Sequence, residues 1–180
     1  MIRPGKCPIL VLVILVCSVR GFAQENPFNA MRAPNALYGE LGGKGLAYGL
    51  YYERLIMPDL GVSVGFSMWD PSPPKPTTLT FVPIFLSWYP GAGESQNFYV
   101  DAGADYVSVT DLDVPMKEIS LFEILNSFTG SGWLPFLGAG YCYRSRSSKS
   151  VGFFLKFGPL LLFGPRATQT WVNLSLGITF

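Results

Sequence analysis

The sequence predicts an all-β fold, an antiparallel up-and-down transmembrane β-barrel of about eight strands behind a cleaved signal peptide. Three observations predict it. Residues 168–180 (TQTWVNLSLGITF) alternate strictly: Val172, Leu174, Leu176, Ile178 and Phe180 are apolar, and Asn173, Ser175, Gly177 and Thr179 between them are polar or small. A period of two makes one face of a strand greasy and leaves the other polar. Charged residues are 14% of the chain and hydrophobic ones 49%, against about 25% charged in ordinary soluble proteins. Yet beyond the first 23 residues no stretch offers the continuous apolar run of roughly 20 residues that a membrane-crossing helix needs. What remains is a series of strand-length segments divided by turn residues.

The front end reads as an export signal. Arg3 and Lys6 precede an apolar run, Ile9 to Val19, and Gly21-Phe22-Ala23 places small residues where a signal peptidase reads them. Cys17 follows Val16, not the small residue that a lipoprotein signal places before its cysteine. The expected organisation is a signal peptide over 1–23, a periplasmic lead-in over 24–35 and the barrel over 36–180. Removing Arg3, Lys6 and Arg20 with the signal leaves ten basic residues against twelve acidic ones, which is no footprint for nucleic acid. Cys142 is the one cysteine beyond the signal, so no intramolecular disulfide is expected there, and it reads as a small buried hydrophobe.

The first strand is expected over 36–43 and the second over 46–55, with Gly42-Gly43-Lys44-Gly45 as an external tight turn. In the second, Leu46, Tyr48, Leu50 and Tyr52 share one face, while Ala47, Gly49, Tyr51 and Glu53 share the other. Reading 36–55 as one bent strand would give seven strands and break the parity that returns both ends to one side. Pro58-Asp59 turns the chain into a third strand, 60–69, with clean alternation. Residues 70–77 (DPSPPKPT) hold four prolines and form a loop. The fourth strand covers 78–89, where Pro83 implies a bulge or an amide not needed for pairing. Further strands are expected over 98–109, 133–144, 151–163 and 168–180. The longest irregular stretch, 111–131, falls on the external side together with 70–77 and 164–168.

Cost assigns the faces. Arg or Lys on the lipid face at mid-membrane costs about 2–4 kcal/mol, so Glu40, Glu53, Asp101, Asp105, Arg144 and Lys156 are expected inside, as an ion-pair network that plugs the lumen. Glycines 49, 61, 65, 103, 138, 140, 152, 158 and 177 share that face and leave room, and Tyr38, Tyr51 and Tyr99 can supply hydrogen bonds. Tyr52, Trp88, Tyr106, Trp133, Tyr143 and Phe180 fall on the outer face near strand ends, where amphipathic rings favour the headgroup level. An excess of acid over base inside calls for a raised carboxyl pKa or for further donors.

Signals for chemistry are thin. The inner carboxylates suit acid–base work in principle, but a static network explains them. There is no histidine, which removes the histidine–serine chemistry of small outer-membrane lipid A deacylases and palmitoyl transferases. A serine–lysine pair would need Lys156 beside a lumen serine. Asp111-Leu112-Asp113 lacks the glycine and distal glutamate of a calcium loop. Residues 116–128 (MKEISLFEILNSF) carry apolar residues near helical spacing behind Asp113 and Pro115, the pattern of a short amphipathic helix. No cofactor and no metal are expected.

The stretches GELGGKGLAYGLYYERL, FVPIFLSWYPG, NFYVDAGADYVSV, GAGYCYRS and NLSLGITF together resemble the small eight-stranded bacterial outer-membrane β-barrels, such as the transmembrane domains of OmpA and OmpX. The likeness looks closest to uncharacterised barrels of Bacteroidetes or spirochaete type. It implies residence in the outer membrane, contact with its lipids and with the barrel assembly machinery (Phe180 as assembly signal), and a non-enzymatic role in envelope structure or in surface interaction, with 111–131 as the segment for an extracellular or envelope partner. A narrow porin-like channel or small-ligand transporter is the alternative, and a lipid-modifying enzyme a second one.

Overall fold

In a computed structural model, residues 33–69, 78–90, 96–110, 131–145, 151–164 and 168–180 are described. They form eight antiparallel strands joined in chain order into a closed barrel: β1 Asn35–Gly42, β2 Tyr48–Met57, β3 Leu60–Trp69, β4 Thr78–Trp88, β5 Gln96–Thr110, β6 Ser131–Arg144, β7 Gly152–Phe163 and β8 Thr168–Thr179. β8 closes onto β1 from Ala36↔Thr179 to Gly42↔Asn173. Closure leaves no unpaired edge, the condition for a sheet to cross lipid. The first hairpin is therefore two strands, not one bent strand, and the ladder from Asn35↔Arg54 to Leu41↔Tyr48 settles the count.

Most expected boundaries differ from the observed ones by one or two residues, and β3 matches. β1 starts at Asn35, one residue inside the expected lead-in, because the Asn35 amide and carbonyl both bond to Phe180 across the seam at 3.1 Å. The expected signal, the calcium motif at 111–113 and the amphipathic segment 116–128 lie outside the described residues.

Pro83 introduces no bulge. The β3–β4 register is unshifted, and the ladder simply skips from Val64↔Ile84 to Ser67↔Phe81 around it. β6 and β7 skip likewise, from Gly138↔Leu160 to Tyr141↔Phe157, beside Pro159. There Gly140 and Gly158 let two backbones approach: a Cβ on Gly158 would lie 2.1 Å from the Ala139 carbonyl oxygen.

Burial alternates along each strand with the inner face closed and the outer face open. The outer surface is apolar: Leu37, Leu50, Val62, Ile84, Leu86, Leu137, Phe157, Leu174, Leu176 and Ile178 are all exposed. Among the described strand residues, Arg54 is the one charged side chain on that face, at the end of the barrel where β1 begins and β8 ends. Trp88, Tyr143 and Phe180 ring the same end, and Tyr106 packs edge-to-face on Trp133 at the other, 5.4 Å between centroids. No described helix is long and apolar enough to cross a membrane; the strands have the length to do so.

Candidate functional site

The inward side chains divide the lumen into two unlike halves. The half nearer the chain ends holds most of the charge. Glu53, Asp101, Arg144 and Lys156 are all at most 1% exposed. Arg144, at the end of β6, donates to Glu53 through Nη1 and to the Ala33 carbonyl through Nε and Nη2, at 3.2 and 3.0 Å. Its planar fork thus ties the residues before β1 to the opposite wall. Glu53 also accepts from the Tyr89 hydroxyl at 2.7 Å and from Ser63 at 3.3 Å. Lys156 on β7 donates to Asp101 at 2.7 Å and to Ser87 at 3.1 Å, with Glu53 at 3.9 Å.

Above this layer a second cluster gathers on Glu40 of β1. It accepts from Ser175 at 3.0 Å and from Asn173 at 3.3 Å, and Asn173 in turn accepts from the Tyr99 hydroxyl at 3.0 Å. The third partner is Lys44, whose Nζ lies 3.0 Å from Glu40 and 3.2 Å from Asp101. Asp101 therefore joins the two clusters, paired with Lys44 on one side and Lys156 on the other.

Lys44 corrects the sequence reading. Gly43–Gly45 was expected as an external turn; it is a single 3₁₀ turn folded into the barrel, with Gly43, Lys44 and Gly45 all buried. Leu46, expected on the outer face beside Tyr48, is 3% exposed inside. Three contacts hold the turn in: Lys44 N–H to Glu40 Oε1 at 2.9 Å, Ser67 Oγ to the Gly45 carbonyl at 3.0 Å, and Trp171 Nε1 to the Leu46 carbonyl at 3.3 Å. Gly43 has φ +74°, and a Cβ there would crowd Glu40 and Asn173. Leu46 has φ +63°, ψ −74°, with the Ala47 amide bonded to the Gly45 carbonyl at 2.9 Å. That is the rare left-handed γ-turn, a strained state for a branched residue, kept only where surrounding contacts overrule it. The excess of inner acid called for further donors such as tyrosines; Tyr89 is one, on Glu53, and Lys44 adds a cation that the sequence reading did not name. The sequence signal for it was a lone lysine flanked by glycines, four residues beyond an inward glutamate.

The half of the lumen nearer the loops is apolar. Leu79 and Phe81 of β4, Val107 of β5, Leu134 and Phe136 of β6 and Leu160 and Leu162 of β7 are buried there, with Trp69 and Trp171 partly buried against them. Asp105 is the exception. It was expected in the ion-pair network and does not join it: it is buried, opposite Pro83 and Leu134 in the ladders, and both its carboxyl oxygens lack a hydrogen-bond partner. Lys44 is already engaged by Glu40 and Asp101.

No catalytic arrangement emerges among the described residues. Lys156 does stand beside a lumen serine, Ser87, but its amine is also committed to Asp101, and both side chains are 0% exposed. No group of acidic, histidine or cysteine residues there is fit to hold a metal, and Cys142 is free and buried.

The fold and its faces define a class: an eight-stranded antiparallel up-and-down barrel of the outer-membrane type. A solved neighbour is the N-terminal β-barrel domain of Pseudomonas aeruginosa OprF, similar at TM-score 0.53 and 16% identity over 81% of this chain and 95% of that one. At that identity the likeness concerns the fold alone. No protein-family model and no curated protein matches the chain.

Proposed function

We propose that the chain is a non-enzymatic integral protein of the bacterial outer membrane, sealed across its lumen, that serves as envelope structure or acts through its loops on an extracellular or envelope partner. One observation carries the reading. The barrel is inside-out relative to a water-soluble one, with an apolar outer wall bounded by aromatic rings and the ionised side chains turned inward. In that setting the loop-bearing end is external and the end with Arg54 is periplasmic. The lipids of the membrane are the immediate partner, the strand ending at Phe180 is the element the assembly machinery would read, and 111–131 is the segment available to a further partner. A narrow channel has the weaker claim, because Arg144, Glu53, Lys156, Asp101 and Lys44 bridge from wall to wall.

Gel mobility with and without boiling tests the reading, alongside fractionation of cells. A folded barrel sediments with outer membranes, needs detergent for extraction and shifts in mobility on heating. Recovery as a water-soluble monomer without detergent would refute it.

A further inference from the structure

We infer that Arg54, on the outer face of β2, is a binding site for the phosphate of an anionic glycerophospholipid in the periplasmic leaflet. The inference rests on the barrel reading above and names a headgroup class for its lipid contact. Three observations meet at this rim. Arg54 is the one charged side chain that the described strands place on the outer wall. Its one side-chain hydrogen bond to a described residue, from Nη1 to Asn35 Oδ1, is 3.5 Å long, while Tyr52 donates to the same oxygen at 2.8 Å. An exposed apolar strip, with Leu37, Leu50, Val62 and Ile178, runs from this rim towards mid-barrel.

A guanidinium carries a planar fork of N–H donors and no acceptor, so most donors of Arg54 have no partner among the described residues. Nor do those residues supply a counter-charge. No described carboxylate lies within ion-pair distance of Arg54. Glu53, the preceding residue, points inward to Arg144, and Asp59, in the turn after β2, accepts from the Trp88 indole at 3.4 Å. The position is fixed from the side: Asn35 pairs with Arg54 across β1 and β2 and is tied to the Phe180 carbonyl at 3.1 Å. Tyr52, Trp88 and Phe180 belong to the same rim, the level at which amphipathic rings meet headgroups. A phosphodiester takes a guanidinium through two parallel charge-assisted bonds, and its acyl chains cover the strip. A free anion would leave the strip bare. A zwitterionic head would bring an ammonium to a rim whose turn acid, Asp59, is already engaged.

The test uses the folded protein in non-ionic detergent, titrated with dioleoylphosphatidylglycerol or with dioleoylphosphatidylcholine and read by native mass spectrometry. The first phosphatidylglycerol should bind about fivefold tighter than the first phosphatidylcholine, the preference that one basic side chain near an anionic headgroup implies. Arg54→Gln should erase that preference while leaving phosphatidylcholine binding unchanged. Arg166→Gln, which removes a like charge between β7 and β8, should keep it. Heat-shifted gel mobility establishes for each variant that the barrel is formed. A heat-shifted barrel without any preference for phosphatidylglycerol would overturn this inference and leave the barrel reading standing, whereas a chain that needs no detergent and shows no heat shift removes both. An unchanged preference in folded Arg54→Gln, or an equal loss in both variants, would also overturn it, the latter by reducing the effect to net charge.

Discussion

Lys44→Met isolates the contribution of the inward turn. The substitution keeps the length of the side chain and removes a cation that sits 3.0 Å from Glu40 and 3.2 Å from Asp101. With an effective dielectric constant of about 20, each contact is worth roughly 5 kcal/mol of Coulomb attraction. Most of that is offset by the desolvation of three buried charges, so the gross figure overstates the net value of the cluster. Removing one partner is a different matter. Glu40 keeps only neutral donors, Asn173, Ser175 and the backbone amide of residue 44, and the cost is that of an uncompensated buried charge, about 3–5 kcal/mol. The measurement is equilibrium urea unfolding in lipid vesicles, followed by tryptophan fluorescence and by the heat-shifted gel band. The double variant Lys44→Met with Glu40→Gln removes the stranded charge and should recover at least about 1 kcal/mol relative to additivity. A loss below about 1 kcal/mol in the single variant, or strictly additive effects in the pair, would refute the argument that the turn is latched electrostatically.

Four further outcomes are expected. Gly43→Ala combines φ +74° with a Cβ 2.4 Å from Glu40 Oε1, so it should destabilise by about 2 kcal/mol or more and expose the turn to protease, which limited proteolysis of intact vesicles reads. Gly158→Val, whose Cβ would meet the Ala139 carbonyl oxygen at 2.1 Å, should block formation of the β6–β7 ladder and leave the heat-shifted band absent; a normal band would show that the two strands can separate at Pro159 without penalty. Leu176→Arg puts a charge on the outer face of the closing strand, where it should cost about 2–4 kcal/mol in vesicle unfolding, whereas Arg54→Leu at the barrel rim should change stability by less than about 1 kcal/mol. Phe180→Asp should lower the amount of barrel in the outer membrane of cells more than it lowers stability of the refolded protein; unchanged membrane levels would dismiss the last strand's aromatic end as an assembly signal.

The period-two pattern made the barrel legible because in a closed sheet every strand must satisfy the same inside–outside rule, and strands such as Leu60–Trp69 and Thr168–Thr179 satisfy it without interruption. The inward position of the charged residues followed from cost alone. What alternation does not carry is anything set by a turn. The tuck of Gly43–Gly45 depends on glycines that permit positive φ, on Ser67 and Trp171 from distant strands, and on an acid four residues back. The partners Ser67 and Trp171 are not encoded locally, so a tight external turn was the natural reading. Asp105 was misassigned for a related reason. Alternation gives the face of a side chain but not its height, and only the staggered register of the strands shows that Asp105 stands in the apolar half, away from Lys156 and Arg144.

Three of the lumen pairs share one trait with a consequence for assembly. Lys44 with Asp101, Arg144 with Glu53 and Lys156 with Asp101 all join strands that are not neighbours in the sheet. Apart from Glu40 with Lys44 inside the first hairpin, a hairpin made early therefore cannot neutralise its own charges, and a half-finished curved sheet would leave carboxylates and amines without their partners. In the membrane setting proposed above, insertion and closure are then expected as one concerted event, with the chain held at the water-facing surface until β8 meets β1.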